Sequence, residues 1–174
     1  IVTKCPKDLK PMEYRVVTKA MNLFPYQRLY FTTLDYAALQ PMFETSHENI
    51  PSIDNMRDTH TLLLTGIASP EQLLHDLSPH IDHLQPLTFA DHHQFDKKDV
   101  QLINDTFAAM LPPKLIITTE KDATRLNGVE GLSDEVRKNI YILPVRISFM
   151  QDQKDTFNQQ ITDYVRKNSR NSIL

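Results

Sequence analysis

The chain has 174 residues with a formal net charge of −3, and 40% of its residues are hydrophobic. This composition can fill the core of one domain or of one and a half, which excludes wholesale disorder, and the weak negative charge gives no reason to expect nucleic acid as a partner. A single cysteine excludes an internal disulfide framework and fits a reducing compartment, and no apolar run reaches the roughly 20 residues of a membrane-spanning helix.

In residues 1–58 the sequence predicts a strand, a helix, one or two further strands and a loop, without a regular alternation. The chain opens without an initiator Met, directly in the β-branched run IVTKCP, which predicts a strand and indicates a fragment of a longer protein. An amphipathic helix is predicted from Met12 to Phe24, because apolar residues recur there at helical spacing and a proline follows. Residues 27–44 are rich in aromatic and β-branched types and predict one or two strands, whereas the polar residues 45–58 predict a loop.

Beyond that loop, strands and helices alternate. The extended segments are HTLLLTGIA, HIDHLQPLTF, KLIITTE and NIYILPVRISF, the last of which is interpreted as one strand. The first helix of this part is predicted to have Ser69 as its N-cap, Pro70 at its first position and Gln72 as the capping-box partner, and Asp96 and Ser133 are predicted to cap two later helices. Continuous apolar strands separated by amphipathic helices predict an α/β fold, with a mainly parallel sheet and helices on both faces.

Polar residues follow three of these strands at their carboxyl ends. Gly66 ends the first strand, Asp91 and His92 follow the second, and the segment from Thr119 to Asp122 follows the third. In a parallel sheet the carboxyl ends of the strands open onto one edge, and ligands bind there. We therefore expect the three groups to share this edge.

The Asp91–His92 pair suits general base chemistry, because a carboxylate fixes the tautomer of an imidazole and raises its basicity. The same residues also fit a solvated loop in which Asp91 only caps the following turn. The residue types alone leave both interpretations open. The neighbouring His93 is assigned to local structure or to solvent.

The group after the third strand also admits two interpretations. Thr119 or Asp122 can cap the helix that follows, with Lys121 in solvent. Alternatively, these residues and Glu120 lie at a ligand site. By its charge, Lys121 is the one that best suits a phosphate.

No metal site is predicted. His80 and His83 form an H-x-x-H pair, but on an extended segment residues i and i+3 point to opposite faces, and the single cysteine adds no ligand. With three glycines in the chain, neither G-x-x-x-x-G-K-S/T nor G-x-G-x-x-G occurs, so the chain has no phosphate-binding loop of its own.

Three segments together resemble a known family. In this order and at these intervals, LLLTGIASPEQLL, FADHHQF and LIITTEKDATRL resemble the C-terminal half of tetraacyldisaccharide 4'-kinase, the lipid A 4'-kinase. The opening IVTKCP resembles the strand that closes the nucleotide-binding half of that family, and the polar final helix with its RKNSRNSIL tail resembles Bacteroidetes members. The resemblance covers nearly the whole chain, and D-H-x-x-F followed by T-T-E-K-D-A-x-R-L is specific as a combination.

The resemblance implies a P-loop-kinase-like C-terminal α/β/α domain whose N-terminal nucleotide-binding half is missing. The full-length parent is expected to use ATP and Mg²⁺ and to transfer the γ-phosphate to the 4'-hydroxyl of the glycolipid tetraacyldisaccharide 1-phosphate in lipid A biosynthesis. It is expected to be a peripheral protein on the cytoplasmic side of the bacterial inner membrane, and the fragment is expected to be soluble.

The resemblance also implies residue roles. The family has its P-loop lysine, its Mg²⁺-holding residues and its acidic base in the N-terminal half, and its D-H-x-x-F motif projects across the cleft toward that acid. Asp91 and His92 fall on this motif and are the implied catalytic residues, with His92 as the partner of the acid. Lys4 occupies the place where proteins with an N/T-K-x-D motif use a lysine stem beside the base, and it is predicted, together with Lys121, to bind the nucleotide. A proline at position 6 excludes recognition of guanine in that manner.

Because the Walker A half is absent, the fragment alone is expected to be inactive and to bind no cofactor. Residues 1–26 are predicted to be a remnant of the nucleotide-binding domain, residues 27–58 a linker with extended strands, and residues 59–174 the C-terminal α/β domain. The apolar face of the first helix would then be uncovered, which predicts non-native self-association or poor order of the N-terminal segment.

Two other classes compete with the kinase interpretation. One is a non-catalytic α/β binding module, and the other is a metal-dependent hydrolase built on Asp91, His92 and His93, which needs more ligands than this edge supplies. A Walker A loop and an acidic base in the upstream sequence would support the kinase, and their absence would support the binding module.

Overall fold

The computed structural model describes residues 1–44 and 50–170, with side chains as far as residue 168. Residues 45–49 of the predicted loop and the end of the RKNSRNSIL tail lie outside the described residues. The helices are α1 (Pro11–Ala20), α2 (Glu71–Leu77), α3 (Lys97–Ala108), α4 (Glu120–Leu126), α5 (Asp134–Asn139) and α6 (Lys154–Arg170). The strands are β1 (Thr32–Tyr36), β2 (Gln40–Pro41), β3 (His60–Thr65), β4 (Leu84–Thr88), β5 (Lys114–Thr119), β6 (Ile140–Leu143) and β7 (Val145–Phe149).

The chain divides into two compact units. Residues 36–145 form the sheet unit, and residues 1–35 together with 146–174 form the terminal unit. These units do not coincide with the predicted segments, whose boundaries fall at residues 26 and 58, since the last helix groups with the first residues of the chain. The predicted division into residues 1–26, 27–58 and 59–174 stays a prediction.

The sheet unit is built on a five-stranded sheet in the order β2-β6-β5-β3-β4. Strands β3, β4, β5 and β6 are parallel, and only the two-residue β2 at the border runs antiparallel. The register pairs Thr65 with Thr88 and Leu64 with Thr118, so β3, β4 and β5 end at the same level. The prediction of a mainly parallel α/β sheet is confirmed. We call the side of the sheet where β3, β4 and β5 end the carboxyl edge.

Alternating side chains of the central strands fill one core on each face of the sheet. On one face, Leu62 and Leu64 of β3 pack in a cluster with Phe107 of α3. On the other face, Leu63 packs in a cluster with Leu77 of α2. All five side chains are almost fully buried. Because successive residues of a strand point to opposite faces, only a continuous apolar run can supply both clusters.

The start of α2 differs from the prediction. The N-cap is Pro70 rather than Ser69, no side chain caps the helix, and the first helical residue is Glu71. Gln72 does not complete a capping box, because its side-chain amide donates to Asp76 one turn later. Asp96 and Ser133, in contrast, accept hydrogen bonds from backbone N–H groups in the first turns of α3 and α5, and these two predicted caps are confirmed. Of the two alternatives for α4, Thr119 and Asp122, the N-cap is Thr119.

The predicted single strand NIYILPVRISF is two strands. Pro144 separates β6, which belongs to the five-stranded sheet, from β7, which pairs with β1 in a sheet of two strands. Proline has no N–H to donate to a continuing ladder, and the chain changes partner at this residue. The Pro144 carbonyl accepts a hydrogen bond from the backbone N–H of Ala37 at 3.0 Å.

The terminal unit has less regular structure than predicted at its amino end. The segment IVTKCP contributes a single parallel bridge, between Val2 and Phe31, and α1 ends at Ala20 rather than at Phe24. No residue of α1 is buried. Aromatic contacts join this unit instead, such as the edge-to-face pair of Tyr14 and Phe31, whose ring centroids are 4.8 Å apart. Among the described residues no helix is both long and apolar enough to cross a membrane.

Candidate functional site

Polar residues from three parts of the sheet unit meet at the carboxyl edge. Gly66 follows β3, the turn with Asp91 and His92 follows β4, and α4 begins directly after β5. We call the following residues the edge cluster: Gly66, Asp91, His92, Lys121, Asp122 and Arg125. The contacts among them bring together all three sequence-predicted groups and add Arg125, which the sequence did not single out.

The turn after β4 directs the His92 ring away from the core. The backbone N–H of Phe89 donates to the Thr65 carbonyl at 2.7 Å, and a tight turn then closes from the His93 N–H to the Ala90 carbonyl at 3.1 Å. His92 has a φ of 60°, in the left-handed region that few residues other than glycine adopt. Its side chain is 76% exposed. Asp91 accepts the His92 backbone N–H at 3.0 Å, so it does stabilise the turn, as the loop interpretation expected.

Lys121, which follows β5, keeps Asp91 ionised as a carboxylate. The Lys121 ammonium donates to Asp91 Oδ1 at 3.2 Å. This hydrogen bond is the main reason that the pKa of Asp91 lies below its ordinary value, and the His92 backbone N–H acts in the same direction. Asp91 Oδ2 lies 3.5 Å from His92 Nε2. At neutral pH the edge therefore presents an ionised carboxylate beside an exposed imidazole.

A buried carboxylate joins the ends of β3 and β5. Asp122 is fully buried in the first turn of α4, and its Oδ2 accepts the Gly66 N–H at 2.9 Å and the Thr119 hydroxyl at 2.8 Å. In return, Thr119 Oγ1 accepts the Asp122 N–H at 3.1 Å as the N-cap of α4. The carboxylate is thus satisfied by donors from two strand ends, as a buried charge requires.

Arg125 connects this buried group with His92. Its Nη1 donates to the Gly66 carbonyl at 3.0 Å and to Asp122 Oδ1 at 3.1 Å. Its Nη2 lies 3.3 Å from His92 Nδ1. One signal for this residue was present in the sequence, because Asp122 and Arg125 are three residues apart on a helix and therefore neighbours on one face. The link to His92 crosses 33 residues and has no local signal.

The other predicted residues are Lys4, which belongs to the terminal unit, and two residues of the sheet unit that have local roles. Lys4 is an exposed residue of the terminal unit in a turn with φ of 57°, and its proposed role stays a prediction. His93 bonds to Asp99 at 2.7 Å and stacks on Phe89, which is the local role expected of it. The Glu120 side chain accepts the Val145 N–H at 3.3 Å.

The histidine pair H-x-x-H does not form a site. His80 lies 3.3 Å from Asp54, whereas His83 stacks on His60 with ring centroids 4.4 Å apart. In the part of the chain that the structure describes, no group of three or more His, Cys, Asp or Glu residues could hold a metal ion. The hydrolase built on Asp91 and its neighbouring histidines therefore lacks a ligand set among these residues.

Comparison with known proteins identifies the family. Residues 13–166 match the family model described as Tetraacyldisaccharide-1-P 4'-kinase. The chain belongs to this family. The match includes the whole edge cluster, so the resemblance of the sequence motifs is confirmed.

The curated relatives named tetraacyldisaccharide 4'-kinase include Bacteroidetes proteins. The protein of Phocaeicola vulgatus is 50% identical over 173 residues, which are 99% of this chain and 47% of the relative. The protein of Bacteroides thetaiotaomicron is 47% identical over 179 residues, again 99% of this chain and 47% of the relative. The predicted Bacteroidetes character of this kinase-family chain is confirmed, and the chain spans about half the length of the curated relatives it matches.

A solved structure of LpxK from Aquifex aeolicus in complex with ATP is also similar. It is 15% identical, with a TM-score of 0.43, over 76% of this chain and 36% of that chain.

Proposed function

We propose that this chain supplies the Asp91–His92 side of the active site of a tetraacyldisaccharide 4'-kinase. In the reaction, the γ-phosphate of ATP is transferred to the 4'-hydroxyl of tetraacyldisaccharide 1-phosphate. The observation that carries the proposal is an exposed imidazole beside an ionised carboxylate at the carboxyl edge of a parallel sheet, in a chain of this family.

The exposure of His92 suits a residue that meets a group from outside the sheet unit. Its ring is oriented from two sides, by Asp91 and by Arg125, yet 76% of the side chain is accessible. In phosphoryl transfer the attacking hydroxyl loses a proton, and an acidic base accepts it. A hydrogen bond from His92 would orient that base, and general base catalysis, which depends on such positioning, contributes about 10²–10⁴-fold to a rate.

The described residues do not by themselves fit ATP with Mg²⁺. No glycine-rich phosphate-binding loop is present in the sequence, and no cluster of carboxylates among the described residues could hold a metal. The proposal therefore places nucleotide and Mg²⁺ binding mainly in the other half of the enzyme, with Lys121 and Lys4 of this chain as nucleotide contacts. The chain alone is expected to bind neither ligand and to transfer no phosphate.

The acceptor is a glycolipid, and its acyl chains are anchored in a membrane. We propose that the complete enzyme acts as a peripheral protein on the cytoplasmic side of the bacterial inner membrane. Flotation of the complete enzyme with lipid vesicles, with and without the acceptor, measures this association. Recovery of the enzyme only in the vesicle-free fraction would contradict it.

A chimera tests the catalytic role. This chain replaces the matching 47% of the Phocaeicola vulgatus relative, and transfer of labelled γ-phosphate to tetraacyldisaccharide 1-phosphate is measured. We expect the chimera to be active and His92→Ala to lower kcat by roughly 10²–10⁴-fold. The matched control is His75→Gln, because His75 is an exposed histidine of α2 and lies outside the edge cluster.

Two outcomes count against the proposal. Near-normal activity of the His92→Ala chimera would overturn the catalytic role of the residue. A folded chimera without any phosphate transfer would favour the alternative of a non-catalytic α/β binding module.

A further inference from the structure

We propose that Arg125 is a positioning residue that holds His92 as the neutral tautomer with its proton on Nε2. The functional value of this tautomer rests on the role proposed for His92, whereas the tautomer itself is a property of this chain alone. The contact that carries the inference is the 3.3 Å approach of Arg125 Nη2 to His92 Nδ1.

The direction of this hydrogen bond follows from the chemistry of the two groups. A guanidinium remains charged at every pH that a folded protein tolerates, and it has only donors. The imidazole nitrogen that faces it must therefore accept, which requires that Nδ1 carries no proton. The single proton of the neutral ring is then on Nε2, which lies 3.5 Å from the carboxylate of Asp91. The two neighbours of the ring thus favour the same tautomer.

The guanidinium is itself fixed, so it can impose this orientation. The Arg125 side chain is only 12% exposed, and its Nη1 is held by the Gly66 carbonyl at 3.0 Å and by the fully buried Asp122 at 3.1 Å. Asp122 is in turn held by the Thr119 hydroxyl. Rotation of the guanidinium toward solvent would break both Nη1 bonds and leave a buried carboxylate short of a donor.

Gly66 makes the close approach of these groups possible. A β-carbon at this position would lie 3.1 Å from Asp122 Oδ1, 3.4 Å from the Ala90 carbonyl and 3.7 Å from Arg125 Nη1. A larger residue at this position would therefore require Asp122 or the turn after β4 to shift. The positioning of His92 depends on all three strand ends of the carboxyl edge.

This arrangement makes His92 a hydrogen-bond donor rather than a base. Its Nδ1 lone pair is occupied by Arg125, and its Nε2 carries the proton. Protonation of Nδ1 would place two N–H donors opposite each other and would cost the bond to Arg125. Among the residues that the structure describes, the charged groups linked to the ring directly or through one partner are Asp91, Lys121, Asp122 and Arg125, and of these four Arg125 is the one that contacts Nδ1.

Nitrogen NMR of the imidazole rings in this chain tests the tautomer directly. The spectrum is recorded well above the ordinary histidine pKa of about 6.5, so that the rings are neutral. We expect His92 Nδ1 to resonate as an unprotonated nitrogen and Nε2 as a protonated one. His75 is the internal comparison, because its Nδ1 lies 3.3 Å from the Asp76 carboxylate and is expected to carry the proton. A protonated Nδ1 in His92, or averaged resonances of two tautomers, would overturn the inference.

Two variants separate Arg125 from other influences. Arg125→Lys keeps the charge but has one nitrogen, which can satisfy Asp122 and Gly66 without reaching His92. Arg125→Gln removes the charge. In either folded variant we expect the His92 resonances to shift toward an average of both tautomers, while His75 is unchanged. The matched control is Arg137→Gln, because Arg137 lies over the Phe43 ring, 3.9 Å from its centroid, and is expected to leave His92 unaltered.

The remaining outcomes are decided by the same spectra. Unchanged His92 resonances in folded Arg125→Lys would overturn the role of Arg125. If both Arg125 variants fail to fold, the wild-type spectrum still confirms or overturns the tautomer. The contact between Arg125 and His92 is then tested in the wild-type chain by the NMR coupling through the hydrogen bond between Nη2 and Nδ1. Absence of this coupling would overturn the contact.

Kinetics of the chimera distinguish this inference from the proposed function. We expect Arg125→Lys to lower kcat by roughly 10²-fold with little change in KM, because misplaced groups slow the chemical step rather than weaken binding. Loss of the single tautomer without loss of kcat would overturn the functional value of the tautomer and leave Arg125 as the residue that sets it, while the catalytic role of His92 is decided by His92→Ala. Loss of kcat with an unchanged tautomer would overturn the inference about Arg125 and leave the catalytic role of His92 standing.

Discussion

Two salt bridges lie at the carboxyl edge of the sheet and differ mainly in burial. Asp122 and Arg125 are 3.1 Å apart, and Asp91 and Lys121 are 3.2 Å apart. The Asp122 side chain is 0% exposed, whereas that of Asp91 is 34% exposed and its lysine partner 47%. The two pairs therefore have nearly equal distances between their charged atoms but different roles. The buried pair holds strand ends together, and the exposed pair presents a carboxylate to whatever approaches the edge.

The physical reason is the solvation of each charge. Removing one partner of a buried pair leaves a charge that water cannot reach, which costs far more than the intact pair contributes. An exposed pair exchanges its partner for water at little cost. The comparison thus predicts large losses of stability around Asp122, and changes of titration rather than of stability around Asp91.

The largest effect is expected for Asp122→Asn. The amide leaves the Arg125 charge without its carboxylate and turns an NH₂ group toward donors, so we expect a loss of about 3–5 kcal/mol in the free energy of unfolding. Urea denaturation followed by circular dichroism measures it. Asp105→Asn is the matched control, because Asp105 is an exposed residue of α3 that bonds to Gln101. A loss below about 1 kcal/mol for Asp122→Asn would contradict the structural role of the pair.

A smaller loss is expected for Gly66→Ala. The added methyl group would lie 3.1 Å from Asp122 Oδ1 and 3.4 Å from a backbone oxygen, so the edge must shift, at a cost of roughly 1–3 kcal/mol. Gly128→Ala is the control, because no atom lies within 4 Å of a β-carbon there, and we expect that variant to be at least as stable as wild type. Equal denaturation midpoints for the two variants would show that the approach at Gly66 is not tight.

Thr119→Val should have a more modest effect. It removes the N-cap of α4 and the hydroxyl that donates to Asp122, and loss of such a cap costs about 0.5–2 kcal/mol. Thr119→Ser retains both hydrogen bonds and serves as the comparison in the same denaturation experiment. A Thr119→Val variant as stable as the wild type, with Thr119→Ser the less stable of the two, would show that the hydroxyl does not stabilise the start of α4.

The smallest change in stability is expected for Lys121→Gln, which should instead alter a titration. The pKa of Asp91 is lowered chiefly by the hydrogen bond from Lys121, so the substitution should raise that pKa toward the ordinary aspartate value. Carboxyl-carbon NMR of Asp91 across the acidic range measures the shift. An unchanged titration of Asp91 would show that the two side chains do not interact in solution.

The sign of the accompanying pH dependence follows from linkage. A carboxyl group whose pKa is lower in the folded state stabilises the fold above its unfolded pKa, and this contribution is lost as the pH falls through the folded value. In Lys121→Gln the two pKa values become more similar. The wild type and the variant should therefore differ in their approach to acid unfolding, below the ordinary aspartate pKa of about 3.9, and should have similar stability at neutral pH.

Much of the fold could be predicted from the sequence because the relevant forces are local or periodic. The continuous apolar runs of β3 and β5 indicate strands buried on both faces, and such strands occur in parallel sheets covered by helices. The caps at Asp96 and Ser133 were predictable, because a cap bonds to N–H groups within three residues of itself. The position of Asp91 and His92 at a strand end, and the family motif that includes them, were also determined by the sequence alone.

The tertiary structure decided the contacts that cross the sheet. Arg125 reaches Gly66 across 59 residues and His92 across 33, and only the parallel register of β3, β4 and β5 brings these positions together. The division of one predicted strand at Pro144 was decided in the same way, because it depends on which partner each half finds. Local propensity determines where an element forms, but a side chain at its end acquires its charge environment from elements that are distant in sequence. For that reason the sequence predicted a functional role for His92, and only the folded chain brings Arg125 to one of its two ring nitrogens.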